Sequence, residues 1–320
     1  MGRNPFKESY IQYLLNCSEA YSERTLEISR RRFRIMDRLV HEEYERGTIS
    51  TYNPKHLTAN DCLQIYNVLR AKDPETQKER QFVTVDKYIN DLNNLCKSLD
   101  NHCIATMHTR YPNTRKKQVH TRLGYLESDV MELVAETAAG VSDDDFSRLR
   151  AYSLVAVYFG AGPRTLEVQH AKAKNVNLEY AVPYIYLDVV KGGETYGESR
   201  ETPIIQMFLP VIKRYLAARE KYLKEKDLHS EYLFFRLVDG TMLTDKSVRK
   251  IRTEVNKDLG ISFSGRDCRR SFAQYLKDLG IPIEAISKCM GHSSTKTTER
   301  YYARIRSTDA LDKMKRFLSY

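Results

Sequence analysis

Met290-Gly291-His292-Ser293-Ser294-Thr295-Lys296-Thr297-Thr298-Glu299-Arg300-Tyr301-Tyr302 is the stretch on which the reading of this 320-residue chain turns. Gly291 breaks a helix, and His292 follows it directly. The Ser/Thr-rich run behind His292 is suited to opening a new, short helix. That helix carries two tyrosines, nine and ten positions after His292. Tyrosines on a helix are mostly packing residues, so this stretch acquires chemical meaning only from its company.

The nearest company is Gly265-Arg266-Asp267-Cys268-Arg269-Arg270-Ser271-Phe272-Ala273. Ser264 with Asp267 three residues on is a capping pair and predicts a helix from there to Gly280. Arg266 and Arg269, three apart, face the same side. Two guanidiniums together repel unless an anion joins them, either a carboxylate from elsewhere in the fold or a phosphate. Farther back stands Gly160-Ala161-Gly162-Pro163-Arg164-Thr165-Leu166-Glu167. A helix ends at the glycines and a new one begins at Pro163, a residue suited to a first turn. Arg164 then sits where helix N–H groups and a cationic fork point the same way, a good place for a phosphate. The commoner alternative is an Arg164–Glu167 pair. Between these segments, Val182 to Lys191 is β-rich, with Ile185, Leu187 and Val189 on alternate positions, and Gly192-Gly193 marks a turn. Thr202 to Ile205 returns as the partner strand. A lysine such as Lys191 on a hairpin tip is usually a solvated edge residue; beside a phosphate it can give a proton to a leaving oxygen.

The remaining chain sets the frame. Thr25 to Tyr44 places Leu26, Phe33, Met36 and Val40 near one helical face and Arg30, Arg31, Arg34 and Arg38 on others. Thr58 and Asn60 offer N-caps for a helix holding Leu63, Ile65, Tyr66 and Leu69, and Val83 to Leu99 repeats apolar residues at helical spacing. The basic, Pro-containing run from Arg110 to Lys117 has no apolar periodicity and reads as a linker. Helices resume at Tyr125 to Ala138 and Asp144 to Phe159. The expected organisation is a helical domain over residues 1–117 and a second domain over 118–320, mainly α with a small antiparallel β-sheet. The net charge of +10 favours an anionic partner. No run of eighteen apolar residues occurs, so a membrane span is not expected. The N-terminus lacks the apolar core of a secretory signal. The six cysteines form no Cys-x-x-Cys pair and no His cluster completes a zinc site, which favours reduced cytosolic thiols.

In their order and spacing, Gly162-x-Arg164-x-x-Glu167, the strand-end Lys191, Arg266-x-x-Arg269 and His292 with Tyr301 resemble the C-terminal domain of the tyrosine recombinases. That superfamily includes phage and archaeal integrases and the Xer chromosome-dimer resolvases. The resemblance covers roughly residues 121 to 320, and the N-terminal helices are similar, more loosely, to the family's SAM-like core-binding domain. It implies a two-domain clamp around double-stranded DNA and site-specific recombination or integration through a 3′-phosphotyrosine, with no cofactor and no metal. Carried over by position, Arg164 and Arg269 are the two catalytic arginines, Lys191 the hairpin lysine, His292 the residue at the His-or-Trp position and Tyr301 the nucleophile. Tyr302 lies one residue too far from His292. Arg266 occupies a position usually held by His or Lys, and its pKa above ~12 prevents it acting as a base. The resemblance also implies a cytoplasmic, nucleoid-associated protein and a homotetramer on paired sites. The tetramer would form through a C-terminal helix over Ser307 to Leu318, where Leu311, Met314 and Leu318 recur at helical spacing; packing on its own domain is the alternative. Two other readings compete: a DNA-binding protein that does not cut, with Phe272 to Gly291 as a helix-turn-helix, and a type IB topoisomerase. A mobile-element integrase fits better than an Xer protein, because the wording from Arg266 to Ala273 departs from the Xer pattern.

Overall fold

Side-chain caps decide where the first helices begin. In the computed structural model, which describes residues 4–72, 78–115, 124–189, 198–301 (300 and 301 by backbone alone) and 314, α1 (Pro5–Asn16) opens on Asn4, whose side chain accepts from the Lys7 N–H at 2.9 Å. Ser22 caps α2 (Glu23–Glu45), and Thr58 and Asp61 cap each other reciprocally at the start of α3 (Ala59–Arg70). With α4 (Phe82–Lys97) and α5 (Cys103–Arg110) these belong to the first of two compact units, Met1–His120 and Thr121–Tyr320. The first unit's core gathers Phe6, Tyr10, Phe33, Met36, Ile65 and Leu92, with the Tyr10 and Phe33 rings stacked 5.4 Å apart. The predicted stripe Leu26, Phe33, Met36 and Val40 is buried. Turning that stripe inward leaves Arg31, Arg34 and Arg38 exposed, and Arg24, Arg30, Arg31 and Arg34 line a shallow concavity with Glu27 and Ile28.

The second unit is organised around α7 (Phe146–Ala161). Every residue from Leu149 to Ala161 is buried, as befits a helix apolar on all sides. It is packed by α6 (Ser128–Ala139), α9 (Leu209–Glu225), α10 (Asp245–Leu259) and α11 (Gly265–Asp278). Its buried Arg150 donates to the Phe235 carbonyl at 2.7 Å. α7 stops at Gly162, which takes the left-handed conformation at φ +61°, where a Cβ would run into the Phe272 ring of α11. The close approach that only glycine permits there brings the end of α7 against α11.

After the short α8 (Thr165–His170) comes a three-stranded antiparallel sheet of β1 (Val176–Asn177), β2 (Tyr184–Leu187) and β3 (Arg200–Pro203), in that order. Ile185 lies opposite Thr202 and Leu187 opposite Arg200, and these four face inward while Tyr186 and Glu201 face out. The last two described elements are α12 (Ile283–Met290) and α13 (Thr295–Tyr301). The mainly helical fold with a small antiparallel sheet is the one expected.

Several boundaries differ from the sequence expectations. β2 is shorter than Val182–Lys191, and Val189 is exposed rather than continuing the inward alternation. β3 begins two residues early, at Arg200, because a buried carboxylate is in place to receive that arginine. Pro163 does not open α8. Arg164 is the N-cap, since its backbone N–H is taken by Glu167 at 2.6 Å, the reciprocal half of a capping box. α6 starts at Ser128 rather than Tyr125, and the Leu126 N–H goes to the Ser271 hydroxyl at 2.9 Å. Lys191, Tyr302 and the segment 307–318, apart from Met314, lie outside the described residues.

Candidate active site

Glu167 is the centre from which the site is built. It is 1% exposed, one turn into α8, and both carboxylate oxygens are doubly engaged. Oε1 accepts from Arg164 at 2.8 Å and from Arg200 at 3.1 Å; Oε2 accepts from the Arg164 backbone at 2.6 Å and from Arg200 at 2.8 Å. A third guanidinium, Arg269 of α11, lies 3.9 Å from Oε2. Burial pushes the Glu167 carboxyl up, but the hydrogen bonds and charge of Arg200, with the charges of Arg269 and Arg164, hold it at about 2.

The same three arginines converge on one short piece of backbone. Arg200 donates to the Cys289 carbonyl at 2.7 Å, Arg269 to the Met290 carbonyl, and Arg164 to the Gly291 carbonyl at 3.0 Å. These are the last carbonyls of α12 and its cap, which lack partners within the helix and carry the negative end of its dipole. Arg269 also donates to the Gly162 carbonyl at the end of α7. Gly291 is left-handed at φ +61°, and a Cβ there would stand 2.8 Å from an Arg200 guanidinium nitrogen. Glycine is therefore required both for the turn and for the arginine beside it.

That turn presents His292. Its Nε2 lies 3.3 Å from an Arg269 nitrogen and its Nδ1 2.7 Å from the Thr298 hydroxyl, a fully buried group on α13. Burial and the charges of Arg269, Arg164 and Arg200 push the imidazole down to about 3, with Glu167 opposing. The ring is therefore neutral at ordinary pH. Arg269 can only donate, so Nε2 is the acceptor and the proton sits on Nδ1, facing Thr298. Among the described residues three guanidiniums face a single carboxylate, and the histidine among them adds no charge. Within those residues the arrangement is short of an anion, and Arg164, with 27% of its side chain exposed, is its open side.

Of the residues singled out in the sequence, Arg164, Arg269 and His292 are brought together. Arg266 is on the second position of α11, exposed, with no hydrogen bond or ion pair among the described residues. Arg269, three residues on, is 3% exposed, and the carboxylate that offsets its charge is that of Glu167. Tyr301 is the last described residue of α13, three residues beyond Thr298. The sequence reading passes over Arg200 and Thr298 and treats Glu167 only as a local partner of Arg164. One signal for Arg200 was available: β3 alternates inward and outward, and an arginine on an inward position demands a buried acid.

Residues 125–308 match the phage integrase family, which is more than half of the chain. The chain belongs to that family. Among its curated relatives, the tyrosine recombinase XerA of Pyrococcus furiosus is 32% identical over 156 residues, 48% of this chain and 50% of the relative. The chain thus spans about half the length of the curated relatives it matches. Two solved structures share the fold of this integrase-family chain. The XerH site-specific recombinase, bound to a palindromic difH substrate in a post-cleavage complex, has a TM-score of 0.69 at 16% identity, covering 92% of this chain and 80% of that one. The Tn1549 transposon integrase, in complex with circular intermediate DNA, has a TM-score of 0.66 at 14% identity, covering 98% and 99%. At these identities the likeness is one of fold.

Proposed function

We propose that this protein is a site-specific DNA recombinase of the integrase type, which cuts and rejoins strands through Tyr301. The observation that carries the reading is the cluster of Arg164, Arg200 and Arg269 around one carboxylate, anion-deficient among the described residues, with His292 tied through Thr298 to the helix that carries Tyr301. A scissile phosphodiester supplies the missing anion. Charge that builds on its non-bridging oxygens is stabilised by Arg164 and Arg269, which are always protonated and held in fixed planes.

The phenol oxygen of Tyr301 attacks phosphorus, the bond to the 5′ oxygen breaks, and Lys191 gives that oxygen a proton. The 3′-phosphotyrosine so formed conserves the bond energy, so a 5′ hydroxyl reseals the strand without a nucleotide cofactor. The Tyr301 proton leaves to water or to a phosphate oxygen. Arg266 cannot take it, and a histidine held near 3 is a poor acceptor until a phosphate offsets the surrounding arginines. Arg266, exposed at the start of α11, adds a cation for the same backbone. The cations do here what metal ions do in other phosphoryl transfers, so cleavage in EDTA is expected.

Residues 1–117 serve as a core-binding domain, and the basic concavity on α2 suits phosphate contacts along a duplex. Exchange between two duplexes requires four strand cuts, one Tyr301 each. A tetramer on paired sites is the assembly that supplies them, acting in the compartment that holds the DNA. The test is covalent trapping. A suicide duplex, nicked near the cleavage site, is incubated with the protein in EDTA and run on a denaturing gel. The adduct should form with wild type and Tyr302→Phe and be absent with Tyr301→Phe. Loss in Tyr302→Phe alone moves the nucleophile by one residue. No adduct on DNA that the protein binds leaves a binding protein that does not cut.

A further inference from the structure

Arg200 touches none of the groups assigned to the chemistry except through intermediaries, yet it is the residue that joins most of them. Its side chain is 7% exposed, beneath the open face where Arg164 stands. Two of its nitrogens grip both oxygens of Glu167, at 3.1 and 2.8 Å, and the third reaches the Cys289 carbonyl at 2.7 Å. It is also the first residue of β3, opposite Leu187 at the end of β2, so it stands at the root of the chain segment that contains Lys191. β3 and α12 pack directly on one another at this point.

We propose that Arg200 is a positioning residue for strand cleavage: it holds the start of β3, the Glu167–Arg164 pair and the turn bearing His292 in one fixed register. This deepens the recombinase reading and rests on it. The geometry distinguishes positioning from simple packing. A buried ion pair is seldom worth more to stability than apolar residues of the same volume. Its planar fork, however, specifies directions that an apolar side chain cannot. Each Glu167 oxygen accepts once from Arg164 and once from Arg200, so the carboxylate cannot turn while both are present. Without Arg200 the carboxylate is free to rotate and carries Arg164 with it, the Cys289 carbonyl loses its donor, and β3 is no longer pinned to α12. Lysine restores the charge but can satisfy only part of that set.

The test uses the full-length protein with Arg200→Met and Arg200→Lys. Three quantities are read: the dissociation constant for the duplex, the single-turnover rate of covalent adduct formation on the nicked substrate, and the pH dependence of that rate. Duplex affinity should stay at the wild-type level, because the residue is buried. The cleavage rate should fall about 100-fold in Arg200→Met, the scale of an ångström-sized misplacement of reacting groups, with Arg200→Lys in between. The acidic limb of the rate profile should move to higher pH. Glu167 is faced by Arg164, Arg200 and Arg269, and His292 by those three and Glu167, so each loses a cation that holds it down. A wild-type rate in Arg200→Met, or a loss explained wholly by weaker binding, overturns the assignment, as does an acidic limb that does not move. Should Arg200→Met melt below the assay temperature, Arg200→Lys decides alone, and a wild-type rate in it overturns the assignment. If wild-type protein forms no adduct at all, the recombinase reading falls first and the role of Arg200 with it.

Discussion

Replacing Glu167 with alanine removes the one carboxylate that, among the described residues, three arginines share. Arg200 and Arg269, with side chains 7% and 3% exposed, are then left as buried cations without that carboxylate. Breaking a buried ion pair from one side costs about 3–5 kcal/mol. The carboxyl itself gives a second route to the magnitude. Held at about 2 against an ordinary 4.5, it contributes about 3 kcal/mol to folding at about 1.4 kcal/mol per pH unit. The two agree. For a unit of this size about 3–5 kcal/mol lowers the melting temperature by about 10 °C.

The chain has no tryptophan, so unfolding is best followed by far-ultraviolet circular dichroism in urea. Glu167→Gln, which keeps the shape and one acceptor oxygen, should lose less than Glu167→Ala. The pH dependence carries a sign that can be checked. Because the folded carboxyl is depressed, its contribution is complete above pH 4.5 and is lost as the pH falls toward 2. Glu167→Ala should lack that portion of the acid destabilisation, and its deficit should narrow over the same window. A loss below about 1 kcal/mol at pH 7, within the range of exposed pairs, would refute the claim that this carboxylate holds the cluster together.

Three further outcomes are expected. His292 should stay neutral well below the ordinary histidine range, with its imidazole titrating near 3 by proton NMR; because the unfolded ring takes up a proton below about 6.5, stability should erode as the pH drops from there toward 3, and a titration near 6.5 in the folded protein would contradict the burial and charge described. Thr298→Val keeps the volume but removes the hydroxyl hydrogen-bonded to His292 Nδ1, costing about 1 kcal/mol in a urea melt and slowing covalent trapping. Gly162→Ala forces a side chain into a left-handed backbone and against Phe272, so it should cost at least about 1–2 kcal/mol in the same melt, and a neutral result would deny the tight turn.

What the sequence makes legible follows from how local each interaction is. Caps and stripes are written within a few residues: the Ser264–Asp267 pair, the Thr58 cap and the buried face of α2 all form where the sequence offers them. The turn at Gly291 and the helix behind it are legible for the same reason. Arg164 with Glu167 is visible too, but only as an exposed-looking pair three residues apart. The contact that changes its meaning comes from Arg200, 33 residues away, through a strand pairing that no local pattern announces. The start of α8 misleads in the same way. Pro163 suits a first helical turn, yet the hydrogen bond from the Arg164 backbone to Glu167 makes Arg164 the cap and starts the helix two residues later, at Thr165. In β2 the apolar alternation continues beyond the residues that find a partner, so propensity alone makes the strand too long.

The cluster also links folding to the proposed chemistry. Glu167 holds three guanidiniums together, but it does not balance them, and burial together with their charges drives the proton off His292. A phosphate at the open side of Arg164 would take up that deficit, letting the imidazole pKa rise and freeing Nε2 to donate instead of accept. His292 would then bind a phosphate oxygen as a donor only once the phosphate is present. The histidine's protonation thus becomes a readout of occupancy: an upward shift of its titration on adding duplex, absent in Arg164→Ala, would show that the substrate completes the electrostatics that the fold leaves open.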